Sequence, residues 1–112
     1  MTAEQKLLSI LGLCQKAQKL VSGEAACEKA LQNGTAALVL LANDASDNTK
    51  KKFVNKSFYY KVPCYISFDR DTLSSAIGKS NRATLAVADA GFAGRIEEML
   101  KNIAGADNEC GD

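Results

Sequence analysis

Apolar residues recur at helical spacing at the start of the chain. Leu7, Leu8, Leu11 and Cys14 fall on one face, and Thr2 with Gln5 has the spacing of a capping box, which predicts a helix over residues 3–17. A short extended piece, residues 19–21, leads into a second helix. Ser22-Gly23 is expected to open it, because a serine hydroxyl can accept from the unpaired amides of a first turn and Glu24 lies well in the helix dipole. Asn33-Gly34 closes it. Cys27, Ala30 and Leu31 share one face of this helix, which leaves Lys29 on the opposite side with Ala25 and Ala26 near it. The following run, AALVLLA at residues 36–42, is apolar without alternation, as expected of a strand covered on both faces. Asn43-Asp44 then leaves the sheet.

The second half repeats this grammar. Ser46 is placed to cap a third helix that carries Lys50, Lys51, Lys52, Lys56 and Lys61 against a single Asp47, with Phe53 and Val54 turned inward. Its outer face is expected to be the most positive surface of the chain, and a solvated lysine face is a commoner arrangement than a phosphate-binding stripe. Pro63 forces an extended approach to a strand over residues 64–68. Asp69 or Asp71 caps a short helix ended by Gly78, the basic loop GKSNR follows, and residues 84–88 form the last buried strand. Asp89 caps a final helix in which Phe92, Ile96, Met99, Leu100 and Ile103 keep the 3.6-residue period. Alternating strands and helices of this kind predict an α/β fold, a three-layer α-β-α sandwich with a mixed four-stranded sheet and helices on both faces. Residues 1–104 read as one domain and residues 105–112 as a flexible acidic tail.

Charge changes the picture slightly. The 112 residues hold 14 basic and 13 acidic side chains, a net +1. Three of the acids, Asp107, Glu109 and Asp112, sit in the tail without a basic partner, so residues 1–106 carry +4. That balance permits a nucleic-acid partner without demanding one. Cys14, Cys27, Cys64 and Cys110 form no CxxC pair and the chain has no histidine, which argues against a metal site and against Ser-His or Cys-His chemistry. The first three cysteines are expected to lie reduced in the core. No cofactor is implied, no apolar run approaches the roughly 20 residues that cross a bilayer, and a cytoplasmic location is expected.

Several local motifs fail on inspection. Gly78-Lys79-Ser80 resembles the end of a P-loop but lacks the earlier glycine and the preceding strand, and GFAGR at residues 91–95 lacks dinucleotide spacing. Glu97-Glu98 is consecutive in a helix, hence splayed, and reads as a solvated face. What remains is the start of the second helix, whose free amides suit an anion, together with Lys29, Lys79 and Arg82. A lone helical lysine is more often a solvated charge than a phosphate ligand, and alanines favour helices for their own sake. In sandwiches of this type the loops at one sheet edge carry function, and that edge would gather the second helix start, the Asn43-Asp44 loop and the loop around Lys79 and Arg82.

Three stretches in order, GEAACEKALQNGTAALVLLANDASDNTKKK, YYKVPCYI and AIGKSNRATLAVADAGFA, resemble the kink-turn-binding ribosomal protein superfamily, the L-seven-Ae family, and within it the bacterial YlxQ-like branch. The resemblance covers most of the chain. It implies an α-β-α sandwich, a cytoplasmic, non-enzymatic protein and binding to structured RNA, with ribosomal RNA or the ribosome as candidate partner and neither DNA nor membrane expected. The family meets RNA through a helix start reading Gly-x-Asn-Glu-x-x-Lys, through an acidic residue after the central strand and through an apolar loop before the last strand. The first maps onto Gly23, Glu24, Ala25, Ala26 and Lys29, with alanines where the family has Asn-Glu. Asn43-Asp44 holds the second place, and Lys79, Arg82, Leu85, Ala86 and Val87 hold the third. Alanine cannot hydrogen-bond a base edge, but phosphate contacts need only amides and positive charge. The resemblance therefore implies recognition by shape, with Leu85 to Val87 packing on an unstacked base. The alternative is a protein-binding adaptor on the same fold that has lost specific RNA recognition.

Overall fold

Each helix of the chain starts where a short polar side chain or a glycine turns extended backbone into the first turn. In the computed structural model, which describes residues 1–103 and the backbone of residues 107–108, α1 spans Ala3–Lys16. The Gln5 amide donates to Thr2 Oγ1 at 3.1 Å and the Thr2 amide to Gln5 Oε1 at 2.9 Å, the reciprocal capping box the spacing predicts. Then follow β1 (Leu20–Ser22), α2 (Glu24–Gln32), β2 (Leu38–Leu41), α3 (Asp47–Tyr60), β3 (Cys64–Ile66), α4 (Arg70–Ala76), β4 (Thr84–Val87), α5 (Ala90–Lys101) and a two-residue β5 (Asp107–Asn108). Ser46, Asp69 and Asp89 cap α3, α4 and α5 through their side chains.

The strands form one mixed sheet in the order β1-β4-β2-β3-β5. β4 runs antiparallel to both β1 and β2, whereas β2 and β3 are parallel because α3 carries the chain back across the sheet. The mixed four-stranded sheet read from the sequence is β1 to β4; β5 adds a short antiparallel pairing on β3. Apart from that pairing, the tail expected over residues 105–112, Cys110 included, lies outside the described residues.

The unalternating sequence of β2 is resolved by its two cores. Leu38, Leu40 and Ala42 face α1, α4 and α5, where they meet Leu7, Leu11, Leu73, Ile96 and Leu100. Val39 and Leu41 face α2 and α3, where they meet Cys27, Leu31 and Phe53. A strand apolar on both faces is therefore what two helical layers require. The third strand is shorter than its 64–68 reading because Phe68 turns to a φ of 66° and ends the extended run.

Candidate nucleic-acid interface

The interface begins with the way α2 starts. Ser22 was expected to cap it, but Ser22 is the last residue of β1 and its hydroxyl accepts instead from Arg82 Nε at 3.1 Å. Gly23 is the residue at the N-cap, at φ 95° and ψ 152°, and no side chain caps the helix. The Gly23 amide is taken by the Thr84 carbonyl of β4 at 2.9 Å, which fixes the angle at which α2 leaves the sheet. The amides that follow, at Glu24, Ala25 and Ala26, belong to a first turn that has no intrahelical acceptors. They open onto a surface of exposed alanines.

Three stripes run along α2. Cys27, Ala30 and Leu31 are buried. Glu24 and Glu28, one turn apart, face α3: Lys52 Nζ lies 3.3 Å from Glu24 and 2.8 Å from Glu28, and Lys56 lies 3.8 Å from Glu28. Glu24 also accepts from the Thr49 hydroxyl at 2.8 Å, and Thr49 in turn accepts from Ser46. Thr49 first, then Lys52, holds the Glu24 carboxyl below its ordinary range, while Glu28 followed by Glu24 raises Lys52. The third stripe, Ala25, Ala26 and Lys29, is exposed, and Lys29 makes no ion pair among the described residues.

The lysines of α3 are not all simply solvated. Of the five expected there, Lys52 and Lys56 are ion-paired with α2 and Lys50 Nζ donates to the Asn43 carbonyl at 2.7 Å, which ties the two helices and the Asn43 loop together.

The loops expected to gather at one sheet edge do meet. The Asn43 amide donates to the Phe68 carbonyl at 2.8 Å, and Asp44 Oδ1 accepts from the Arg70 amide at 2.9 Å. Arg70 reaches on to Asn81 Oδ1 at 3.0 Å. Ser74, nearly buried, clasps the loop after α4 by accepting from the Arg82 amide at 2.8 Å and donating to the Arg82 carbonyl at 3.2 Å. Arg82 then spans from that loop to Ser22, and its guanidinium also donates to the Ser80 carbonyl at 2.9 Å. Gly23, Asn43, Asp44 and Arg82 are thus linked along one edge, Glu24, Ala25 and Ala26 follow Gly23 in the first turn of α2, and Lys79 follows Gly78, which turns the chain at a φ of 69°; Lys29 lies further along, in the last turn of α2.

Leu85, Ala86 and Val87 do not join them. Each is fully buried in β4, Leu85 and Val87 in one core and Ala86 in the other, so none has a face to offer a base. The base-packing role expected of them is therefore withdrawn: a central strand with helices on both sides has no open surface. Thr49, Arg70, Ser74 and Asn81 support the edge and escaped sequence reading because their partners here, Glu24, Asp44, Arg82 and Arg70, lie 8 to 26 residues away; Ser22 supports it too, in place of the cap read for it. The one local signal was the polar loop GKSNR, in which Asn81 adopts a positive φ of 55°.

Other polar groups are engaged elsewhere. Glu97, read as part of a solvated face, accepts from the buried Tyr65 hydroxyl at 2.9 Å and ties α5 to β3. Burial, with a smaller contribution from Asp89, pushes the Cys14 thiol up to about 11; burial, then Glu24, pushes Cys27 to about 12. Cys64 is likewise buried. No helix among the described residues is long and apolar enough to cross a membrane.

Two proteins, each named RNA-binding protein YlxQ, are similar to this chain. That of Enterococcus faecium is 40% identical over 97 residues, covering 87% of this chain and 93% of its own. That of Bacillus subtilis (strain 168) is 46% identical over 91 residues, covering 81% and 91%. Among solved structures, a Bacillus halodurans protein described as of unknown function superposes with a TM-score of 0.82 at 41% identity, over 84% of this chain and 95% of that one. The Giardia lamblia 15.5kD RNA binding protein shares the fold, with a TM-score of 0.71 at 19% identity over 87% and 89%. Residues 5–96 match the family described as ribosomal protein L7Ae/L30e/S12e/Gadd45, and the chain belongs to that family.

Proposed function

We propose that this protein binds structured RNA, without catalysis, at the edge formed by the start of α2 and the loops around Asn43-Asp44 and Lys79–Arg82. The observation that carries the reading is the uncapped α2 terminus: first-turn amides, two exposed alanines and, on the same face, an exposed Lys29 without an ion pair among the described residues, with both acids of the helix turned away toward α3. Such a terminus suits a phosphate. The family and the names of the relatives support RNA as the partner. A kinked ribosomal RNA is the target we infer from that family, with the phosphodiester backbone, rather than base edges, as the main element read, because Ala25 and Ala26 carry no hydrogen-bonding groups.

The test is a titration against an RNA containing a kink-turn and against the same duplex with its sheared G·A pairs replaced, at two salt concentrations. If Lys29, Lys79 and Arg82 each neutralise one phosphate, log K falls with log salt at a slope of about −2 to −3. Lys29→Ala is expected to lower the affinity and reduce the slope by roughly one unit or slightly less. Preference for the kinked RNA supports shape recognition. Equal affinity restricts the site to backbone binding, and undiminished affinity in Lys29→Ala removes the site assignment.

A further inference from the structure

At the far end of α3 the chain exposes three consecutive aromatic side chains. Phe58 is 69% exposed, Tyr59 76% and Tyr60 37%, so most of the Phe58 and Tyr59 surface takes no part in the fold. They sit on a helix whose inward positions are already filled by Thr49, Phe53 and Ser57. The Tyr59 and Tyr60 rings meet edge to face, with centroids 4.9 Å apart and planes at 90°, and form a small wedge. Lys51 and Asn55 continue the exposed stripe of Phe58 and Tyr59 at helical spacing, and Lys61 follows the rings at once. Neither Lys51 nor Lys61 has an ion-pair partner among the described residues. The only acid of α3 is Asp47, in its first turn.

We propose that this patch is a second RNA contact, one that takes an unpaired strand: a base stacks on Tyr59 or Phe58 while Lys51 and Lys61 hold its phosphates. Exposed planar rings beside Lys51 and Lys61, on a helix whose single acid lies at its other end, fit a polyanion with flat faces better than the apolar core of a protein partner. The patch is distinct from the Gly23 terminus of α2, which lies against the first half of α3: Glu24 reaches Thr49 and Lys52, and the seven residues from Lys52 to Tyr59 advance about 10 Å along the helix. It stands on α3 alone, and needs nothing from the α2 terminus.

The chain reports on the patch directly. It has no tryptophan and three tyrosines, of which Tyr65 is buried, so a base stacked on Tyr59 or Tyr60 will quench the exposed part of the emission. A titration of the full chain with a short oligouridylate, which has no pairing partner, is expected to quench that emission. Binding of the labelled oligonucleotide, read by anisotropy, is expected to weaken roughly five- to 150-fold when a stacking ring is removed, the range for loss of one stacked base. Phe58→Ala/Tyr59→Ala tests this at exposed positions, where the fold is not at risk. Lys29→Ala is expected to leave the tyrosine quenching by oligouridylate intact, because that signal comes from the rings and not from α2. The proposal is overturned by absence of quenching, by equal affinity in the double variant, or by concentration-dependent dimerisation that the double variant abolishes while RNA binding persists. Kinked-RNA binding that ignores Lys29→Ala, beside oligouridylate binding that needs the rings, would remove the α2 site and leave this one standing.

Discussion

Gly23→Ala isolates the backbone geometry on which the α2 edge depends. Gly23 lies at φ 95°, ψ 152°, close to a region that essentially glycine alone occupies. A Cβ built there meets no heavy atom within 4 Å, so crowding contributes nothing and the whole cost is conformational. That cost is about 1–3 kcal/mol. For a chain of 112 residues, unfolding entropy near the melting temperature is about 0.24 kcal/mol/K, so the melting temperature should fall by roughly 4–13 °C. The chain can escape part of this by rotating the junction, but only by disturbing the 2.9 Å bond from the Gly23 amide to Thr84 and so moving the first-turn amides of α2. Either way RNA affinity and stability should drop together. Gly94→Ala supplies the opposite sign: Gly94 is exposed inside α5 with nothing within 4 Å of its Cβ, and alanine there should stabilise by about 0.4–1 kcal/mol. Urea unfolding followed by far-ultraviolet circular dichroism measures both. A Gly23→Ala midpoint equal to that of the wild type would refute the reasoning, because it would mean the backbone at this position is not held at positive φ.

Ser74→Ala should destabilise by about 1–3 kcal/mol, because it strips both hydrogen bonds from the Arg82 backbone; RNA affinity should fall with it, and an unchanged urea midpoint would show that Ser74 does not hold the loop. Acid should weaken the fold in a defined direction. Glu24 and Asp69 are held below their ordinary 4.5 and 3.8, Glu24 chiefly by Thr49 and Asp69 by the Thr72 amide, so the unfolded chain binds protons first as pH drops. Their stabilisation is complete above those values and is lost as pH falls through the lower folded ones; melting curves of Glu24→Gln should show a shallower acid decline than the wild type, and identical declines would count against the Thr49–Glu24 contact. With Cys110 replaced by serine, Cys14, Cys27 and Cys64 should resist alkylation at mildly alkaline pH until urea unfolds the protein, since burial raises Cys14 and Cys27 and encloses Cys64; rapid modification of the native protein would contradict that packing.

Legibility followed sequence distance. Caps at Thr2, Ser46 and Asp89 could be read, and that of α4 narrowed to Asp69 or Asp71, because the acceptor and the amide it serves are three residues apart; the structure has Asp69. Ser22 looked identical to them, yet its partner Arg82 is 60 residues away, and a tertiary hydrogen bond from a charged donor displaced the local cap. The two-sided burial of β2 was legible as an unbroken apolar run. At Leu85, Ala86 and Val87 the same pattern also marks a buried strand, and it is the resemblance, which sets these residues in the place of an apolar loop, that misled: burial on both sides takes their side chains out of reach.

The α2 edge also shows how a weakly charged chain can make a basic face. No cluster of bases is needed; the acids are moved instead. Glu24 and Glu28 stand one turn apart, and the rotation of α2 against α3 brings both to Lys52 and Lys56. Exposed pairs of this kind add little to stability. Their larger consequence is direction, since they turn two negative charges toward α3 and away from the face of α2 that carries Ala25, Ala26 and Lys29. Reversing them tests that separation: Lys52→Glu would release Glu24 and Glu28 and add a third acid beside α2, weakening RNA binding far more than folding.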